Sequence, residues 1–182
     1  MFTIRLARMS EKPLLEALIA RSGIGLAAGF YTPQQAAAIT REVFGVDSAL
    51  VQDGTYFAIE EDSTVVACGG WSRRATDFGG DGAKHGNDRL LDPASEPARI
   101  RAFFVDPAMA RRGLGSMLLR HCMEAAARAG FGSLELVSTL PGEPLYLAHG
   151  FVALEPVALS LADGVVVRLT RMGRSLSRQP GG

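Results

Sequence analysis

Arg111 and Arg112 stand directly before a pair of glycines, Gly113 and Gly115, where an apolar run, RIRAFFV, gives way to a helical pattern. That order of residues suits phosphate. The first-turn amides of a helix have no intrahelical acceptors, and the helix macrodipole adds partial positive charge at the same end. Glycines without a Cβ let the backbone approach a bulky pyrophosphate, and the two arginines bring charge to its rim. The first-turn amides of the helix that follows Gly113 are therefore an expected anion cradle. The same residues also suit a helix start that needs only a tight turn beside a solvated arginine pair.

The pattern narrows the ligand. A nucleotide-hydrolysing loop requires Gly-Lys-Ser/Thr, which is absent. GLGSML supplies the first two glycines of a dinucleotide fingerprint, and Glu135 lies about 20 residues further on. Against that reading, Leu118 stands where the third glycine belongs, Glu135 falls inside a strand, and antiparallel strands precede the motif. Other reactive side chains are sparse. His85, His121 and His149 show no metal-ligand spacing with one another or with the cysteines, so no metal site is expected. Cys122 falls on the apolar stripe of its helix and Cys68 in a strand, positions of inert thiols.

The elements that must position these residues can be read from periodicity. FTIRLAR alternates as a strand, and Ser10 is placed to cap a helix over EKPLLEALIARSG that ends at Gly23. A second helix begins at YTPQQ, with Thr32 as N-cap, Pro33 in the first turn and Gln35 completing a capping box. TYFAIE and TVVACGGW form a hairpin about EDS. Residues 75–97, rich in Gly and Asp, read as a long functional or mobile loop, and Trp71, Arg73, Arg74 and Phe78, where that loop begins, either line an acceptor site or pack the loop down. A strand at 99–105, a helix at 114–129 and a strand over GSLELVST make a β-loop-α-β unit, which implies parallel pairing. In that helix Leu114, Leu118, Cys122, Ala125 and Ala129 share one face. A short helix near EPLYLAHG and a final hairpin about Asp163-Gly164 follow. The expected class is α+β: one domain over residues 1–172 and a flexible tail over 173–182.

Composition bounds the rest. The 182 residues are 47% hydrophobic with nine Phe, enough for a substantial core, and carry zero formal charge. Balanced charge gives no footprint for nucleic acid or a membrane surface. Two cysteines are too few for a disulfide framework. No apolar run approaches about 18 residues and the N-terminus lacks a signal-peptide core, so a cytoplasmic protein is expected.

FFVDPAMARRGLGSMLL resembles the motif of the GCN5-related N-acetyltransferases, in which a strand ending Val-x-Pro leads into Arg/Gln-x-x-Gly-x-Gly/Ala and a helix. LYLAHGF is similar to the family's Tyr-x-x-x-Gly-Phe, and the likeness covers roughly residues 2–172. Two positions depart from it. Ala110 stands in place of Arg or Gln, so the cradle relies on amides, and Ser138 or Thr139 replaces a frequent Asn ahead of the short helix.

The resemblance implies a mixed sheet of about 6–7 strands, splayed between its two central strands and flanked by about four helices. It implies acetyl-coenzyme A as acyl donor, with its pyrophosphate on the amides of residues 111–116 and its pantetheine along Phe103, Phe104 and Val105. An amine on a small molecule or peptide would attack the thioester directly, with a backbone N–H near Phe104 holding the oxyanion. Tyr146 matches the family's proton donor; otherwise it is a packed tyrosine. Glu135 is the best-placed carboxylate for a base, ahead of Asp106 and Glu143. Neither nucleic acid nor membrane is an expected partner, and a homodimer is a compatible assembly. A non-catalytic acyl-coenzyme A sensor and a dinucleotide-dependent oxidoreductase stay open beside the transferase.

Overall fold

The alternating run Phe2–Leu6 forms strand β1, which pairs antiparallel with β2 (Tyr56–Glu61) in the computed structural model, whose described residues are 1–85 and 87–176. Asp62 and Ser63, both at positive φ, turn β2 into β3 (Thr64–Ser72), the hairpin expected about EDS. Strands β4 (Ala98–Val105), β5 (Ser133–Thr139), β6 (Val152–Ser160) and β7 (Val166–Ser175) complete a seven-stranded sheet of order β1-β2-β3-β4-β5-β7-β6. The β6–β7 hairpin turns at Asp163 (φ 57°) and Gly164 (φ 72°). Strand β7 carries Gly173, Arg174 and Ser175, because Ser133, Leu134 and Glu135 of β5 pair with all three. They belong to the sheet and not to the tail expected from residue 173; residues 177–182 lie outside the described residues.

Helices cover both faces. On one, α4 (Leu114–Arg128) buries Leu114, Leu118, Leu119 and Cys122 against Ile100, Leu134, Leu136 and Met172. Each such fully buried leucine contributes about 1.5–3 kcal/mol through apolar surface removed from water. On the other, α1 (Lys12–Gly25) places Leu15, Leu18 and Ile19 over Tyr56, Ala58 and Cys68, while α2 (Pro33–Glu42) sets Ile39 over Val167 and Leu169. The capping box of α2 forms as read, Gln35 N–H donating to Thr32 Oγ1 at 3.1 Å and Thr32 N–H to Gln35 Oε1 at 3.0 Å.

The start and end of α1 differ from the sequence reading. Ser10 lies within a 3-10 turn, Met9–Glu11, and caps nothing; Glu11 accepts the Arg8 N–H instead. Gly23 continues the helix, and a Cβ there would fall 2.5 Å from Thr40 Oγ1 and 2.8 Å from the Phe44 ring. Its role is close approach of two helices, not termination. A short helix, α3 (Ser48–Gln52), capped by Asp47 at the Ala49 N–H, was not expected, and α5 (Glu143–Ala148) was.

Two features of the sheet shape the site. The parallel pair β4–β5 comprises only Ala98↔Leu134 and Arg99↔Glu135; beyond them β4 runs on to Val105 and β5 to Thr139 without partners in each other. Strand β4 also bulges against β3 at Ala102, whose φ is 55°. The bulge resets the alternation: Ala102 and Phe104 join the α1 side, while Ile100, Phe103 and Val105 join the α4 side.

Candidate active site

Strand β4 delivers the chain to the glycine-arginine junction. Asp106 caps a 3-10 turn, Pro107–Met109, accepting from the Ala108 N–H at 3.0 Å, and Ala110 is extended. Arg111 (φ 62°) and Gly113 (φ 83°) are both left-handed, and Gly113 is the N-cap of α4. A left-handed arginine costs energy that an unstrained loop would avoid, and such outliers gather at binding sites. No backbone carbonyl among the described residues accepts from the amides of residues 111–116. A Cβ at Gly113 would meet nothing within 4 Å, so open space faces Gly113 itself. Leu114 contributes its amide here while its side chain is buried in the core.

Charge at the rim is less than two free arginines. Arg112 donates to Glu61 at 3.0 and 3.2 Å and lies over the Phe2 ring, 4.8 Å from its centroid. The end of the β2 strand thus neutralises it, and Arg111 is the exposed cation left beside the amides. Ser116 Oγ lies 2.9 Å from His149 Nε2, which ties the first turn of α4 to the end of α5. Burial and the nearby Arg120 and Arg174 hold the His149 imidazole below its ordinary pKa. Gly115 provides the same contact from the other side, since a Cβ would sit 3.0 Å from Leu145 Cδ2.

Along the opening, Phe103 lays its ring across Gly69 of β3, where a Cβ would fall 2.4 Å from a ring carbon. Phe104 meets Phe44 edge to face at 5.0 Å. The Val105 N–H donates to Ser22 Oγ of α1 at 3.2 Å, so that amide already has a partner.

Tyr146 on α5 faces Phe103, ring centroids 6.2 Å apart, and Phe151 at 5.7 Å. Burial raises its phenol well above the ordinary value, so it is a proton donor and not an acceptor near neutrality. Its ring is buried, yet the hydroxyl oxygen is absent from the fully enclosed unpartnered atoms, Thr40 Oγ1 and Arg101 Nε. Both cysteines are buried, and burial pushes the Cys68 thiol up to about 12 and that of Cys122 further.

Glu135 sits where β4–β5 pairing ends, with Oε2 3.8 Å from Arg99 Nη1 and 3.6 Å from Arg171 Nη1. The other carboxylates considered are occupied: Asp106 by Arg21 and the Ala108 N–H, and Glu143 by the Thr170 hydroxyl. Sequence reasoning missed Asp77, Arg99 and Arg171, which surround Glu135, and also Ser22 and the bulge at Ala102. Only the bulge left a local signal, the Gly69-Gly70 pair in the facing strand.

The long loop is built down onto the sheet. Bridges Arg74↔Leu90 and Phe78↔His85 fold it into a finger, Phe78 stacks on His85, and Arg74 pairs with Asp53 at 2.7 Å. Trp71 is buried against Phe131. Arg101, with its side chain 1% exposed, donates to Asp47 at 3.1 Å and to the carbonyls of Thr76 and Gly79, locking the finger to β4.

Among the described residues, a mixed sheet splayed at its one parallel pair, with a helix whose first amides lack backbone acceptors after the first strand of that pair, matches an acetyltransferase class of fold. The chain belongs to the acetyltransferase (GNAT) family, whose model matches residues 26–151. It is similar to the GCN5-related N-acetyltransferase structure from Rhodopseudomonas palustris (TM-score 0.69, 17% identity, 96% of this chain and 95% of that one). It is also similar to yncA of Salmonella typhimurium, solved with its cofactor acetyl-CoA (0.65, 17%, 100% and 98%). A third similar structure is the PaiA N-acetyltransferase of Thermoplasma acidophilum in complex with coenzyme A (0.64, 12%, 97% and 99%). No curated protein sequence matches this one. Among the described residues no helix is long and apolar enough to cross a membrane.

Proposed function

We propose that the chain moves an acetyl group from acetyl-coenzyme A to a primary amine by direct attack within a ternary complex. The observation that carries this reading is the opening between β4 and β5, which ends at six amides without backbone acceptors and a Gly113 with open space in front of it. These residues fit a pyrophosphate, and family neighbours solved with acetyl-CoA or coenzyme A support the choice of donor.

Acetyl-coenzyme A supplies an activated acyl thioester; everything else falls to the chain. The amides of residues 111–116 bind the anion, aided by Arg111 and the α4 dipole. Phe103, Phe104 and Val105 border the opening, where an N–H near Phe104 stabilises an oxyanion and Ser22 gives up the Val105 amide to a ligand carbonyl. Tyr146, protonated and unpartnered, gives its proton to the leaving thiolate. Glu135 takes the proton from the acceptor ammonium, directly or through one water, so that a neutral amine attacks.

Binding and turnover test the reading separately. Acetyl-coenzyme A at 100-fold excess over its dissociation constant should raise stability by about 2.7 kcal/mol, while NAD and ATP should not. Turnover on a panel of primary amines should then be measurable. A shift with acetyl-coenzyme A and no turnover on any amine would favour a sensor; a shift with NAD alone would favour the oxidoreductase.

A further inference from the structure

Asp77, on the loop finger, spans the base of the opening. Its Oδ1 accepts from Arg99 Nε of β4 at 3.0 Å, and its Oδ2 from Arg171 Nη2 of β7 at 3.1 Å. Arg99 Nη1 donates further to the Pro97 carbonyl at 2.8 Å, and Arg171 Nε to Glu155 of β6 at 3.0 Å. Glu135 lies between the two guanidiniums at 3.6 and 3.8 Å, near enough for ion pairing and too far for a hydrogen bond. Its carboxylate accepts no hydrogen bond among the described residues, and the side chain as a whole is 28% exposed. Gly173 of β7 pairs with Glu135 across β5–β7.

Two arginines this well shielded, 13% and 22% exposed, would not ordinarily leave an adjacent carboxylate without a hydrogen bond. Arginine and carboxylate close into short charge-assisted pairs when nothing competes. Asp77 competes. We propose that Asp77 is a positioning residue for Glu135: by engaging Arg99 and Arg171 it keeps both arginines at ion-pair distance, and so leaves the Glu135 carboxylate free to accept a proton. Without Asp77 the guanidiniums close on Glu135 and occupy the lone pairs that the acceptor ammonium must reach. In the step so enabled, the N–H bond of the ammonium breaks, its electron pair stays on nitrogen, and the proton goes to a Glu135 oxygen and then to water. The long loop thereby acquires a role, since Asp77 is the residue through which it meets the proton acceptor.

This inference rests on the reading of Glu135 as the base, so the test is a double-mutant cycle in the full chain, read by kcat and by the KM for acetyl-coenzyme A with one accepted amine. Glu135→Gln should lower kcat about 10²-fold or more. Asp77→Ala should lower kcat at least about tenfold with the acetyl-coenzyme A KM within about twofold, and should do nothing further in the Glu135→Gln background. Asp77→Glu, which restores the anion, should recover part of the loss. Wild-type kcat in Glu135→Gln overturns the base itself. A loss in Glu135→Gln combined with wild-type kcat in Asp77→Ala overturns the positioning role alone. Equal loss from Asp77→Ala in both backgrounds shows that Asp77 merely holds the fold. If Asp77→Ala does not fold, as judged by its thermal shift with acetyl-coenzyme A, Asp77→Asn and Asp77→Glu complete the cycle, and wild-type kcat in Asp77→Asn overturns the proposal.

Discussion

The Tyr56 hydroxyl on β2 donates to the Ala102 carbonyl on β4 at 3.0 Å, joining a fully buried ring to the bulge that aims Phe103 and Phe104 in opposite directions. The strained φ of Ala102 is held from outside its own strand, with β3 passing between the two partners. Tyr56→Phe keeps the ring and leaves a partly buried carbonyl without this donor, so a loss of about 0.5–1.5 kcal/mol is expected in denaturant unfolding. An unchanged midpoint would show that the bulge does not depend on this bond.

Tyr146→Phe separates binding from chemistry. The ring packing against Phe103 and Phe151 survives, whereas on the proposed reading the proton for the leaving thiolate is lost, and turnover should fall about 10²- to 10⁴-fold. The thermal shift with acetyl-coenzyme A should stay close to wild type. A tyrosine that only packs would give the opposite outcome, rate per folded molecule preserved.

Gly115→Glu adds bulk and a negative charge within the run of unpaired amides and should abolish the shift with acetyl-coenzyme A. Because any Cβ at this position touches Leu145, Gly115→Ala is the matching control. The alanine variant should keep most of its binding by small movement of a flexible leucine end; equal loss in both variants would assign the effect to packing.

Acid sensitivity should map to the finger. Partial burial alone would raise the Asp81 carboxyl, but Lys12 at 2.7 Å and the Ser48 N–H and hydroxyl hold it at about 2, below its ordinary 3.8. A carboxyl lowered on folding stabilises the native state above its unfolded pKa, and that share is lost as pH falls from about 4 through about 2. Asp81→Asn should therefore lower stability near neutrality and flatten the decline of the melting temperature between those values. A parallel decline in variant and wild type would remove Asp81 from the account.

What could be read in advance was what is local. The capping box at Thr32, the turn at Asp163-Gly164 and the glycine-arginine junction are each specified by neighbours in sequence, and all three formed. Helix α3 escaped because Ser48–Gln52 is too short for periodicity to speak. Gly23 was misread because a glycine at a helix crossing and one at a helix end look alike until the second helix is in place. The surroundings of Glu135 could not have been found from spacing, since Asp77, Arg99, Glu135 and Arg171 come from a loop and three strands. Arg112 is the converse: a residue expected at the rim of the cradle whose charge is answered by Glu61, far off in sequence.

The two residue pairs between β4 and β5 are the whole of the ladder joining a four-stranded half sheet to a three-stranded one. Each half therefore presents an inner edge, the kind of edge that elsewhere invites another chain, here recessed between α4 and the helices of the opposite face. On the proposed reading, a ligand lying in that gap would act as a surrogate strand. The gap-facing amide hydrogens of β4 past Arg99, other than that of Val105, and of β5 past Glu135 should exchange with solvent faster than those of the fully laddered β2 and β3, and should slow together when the gap is filled.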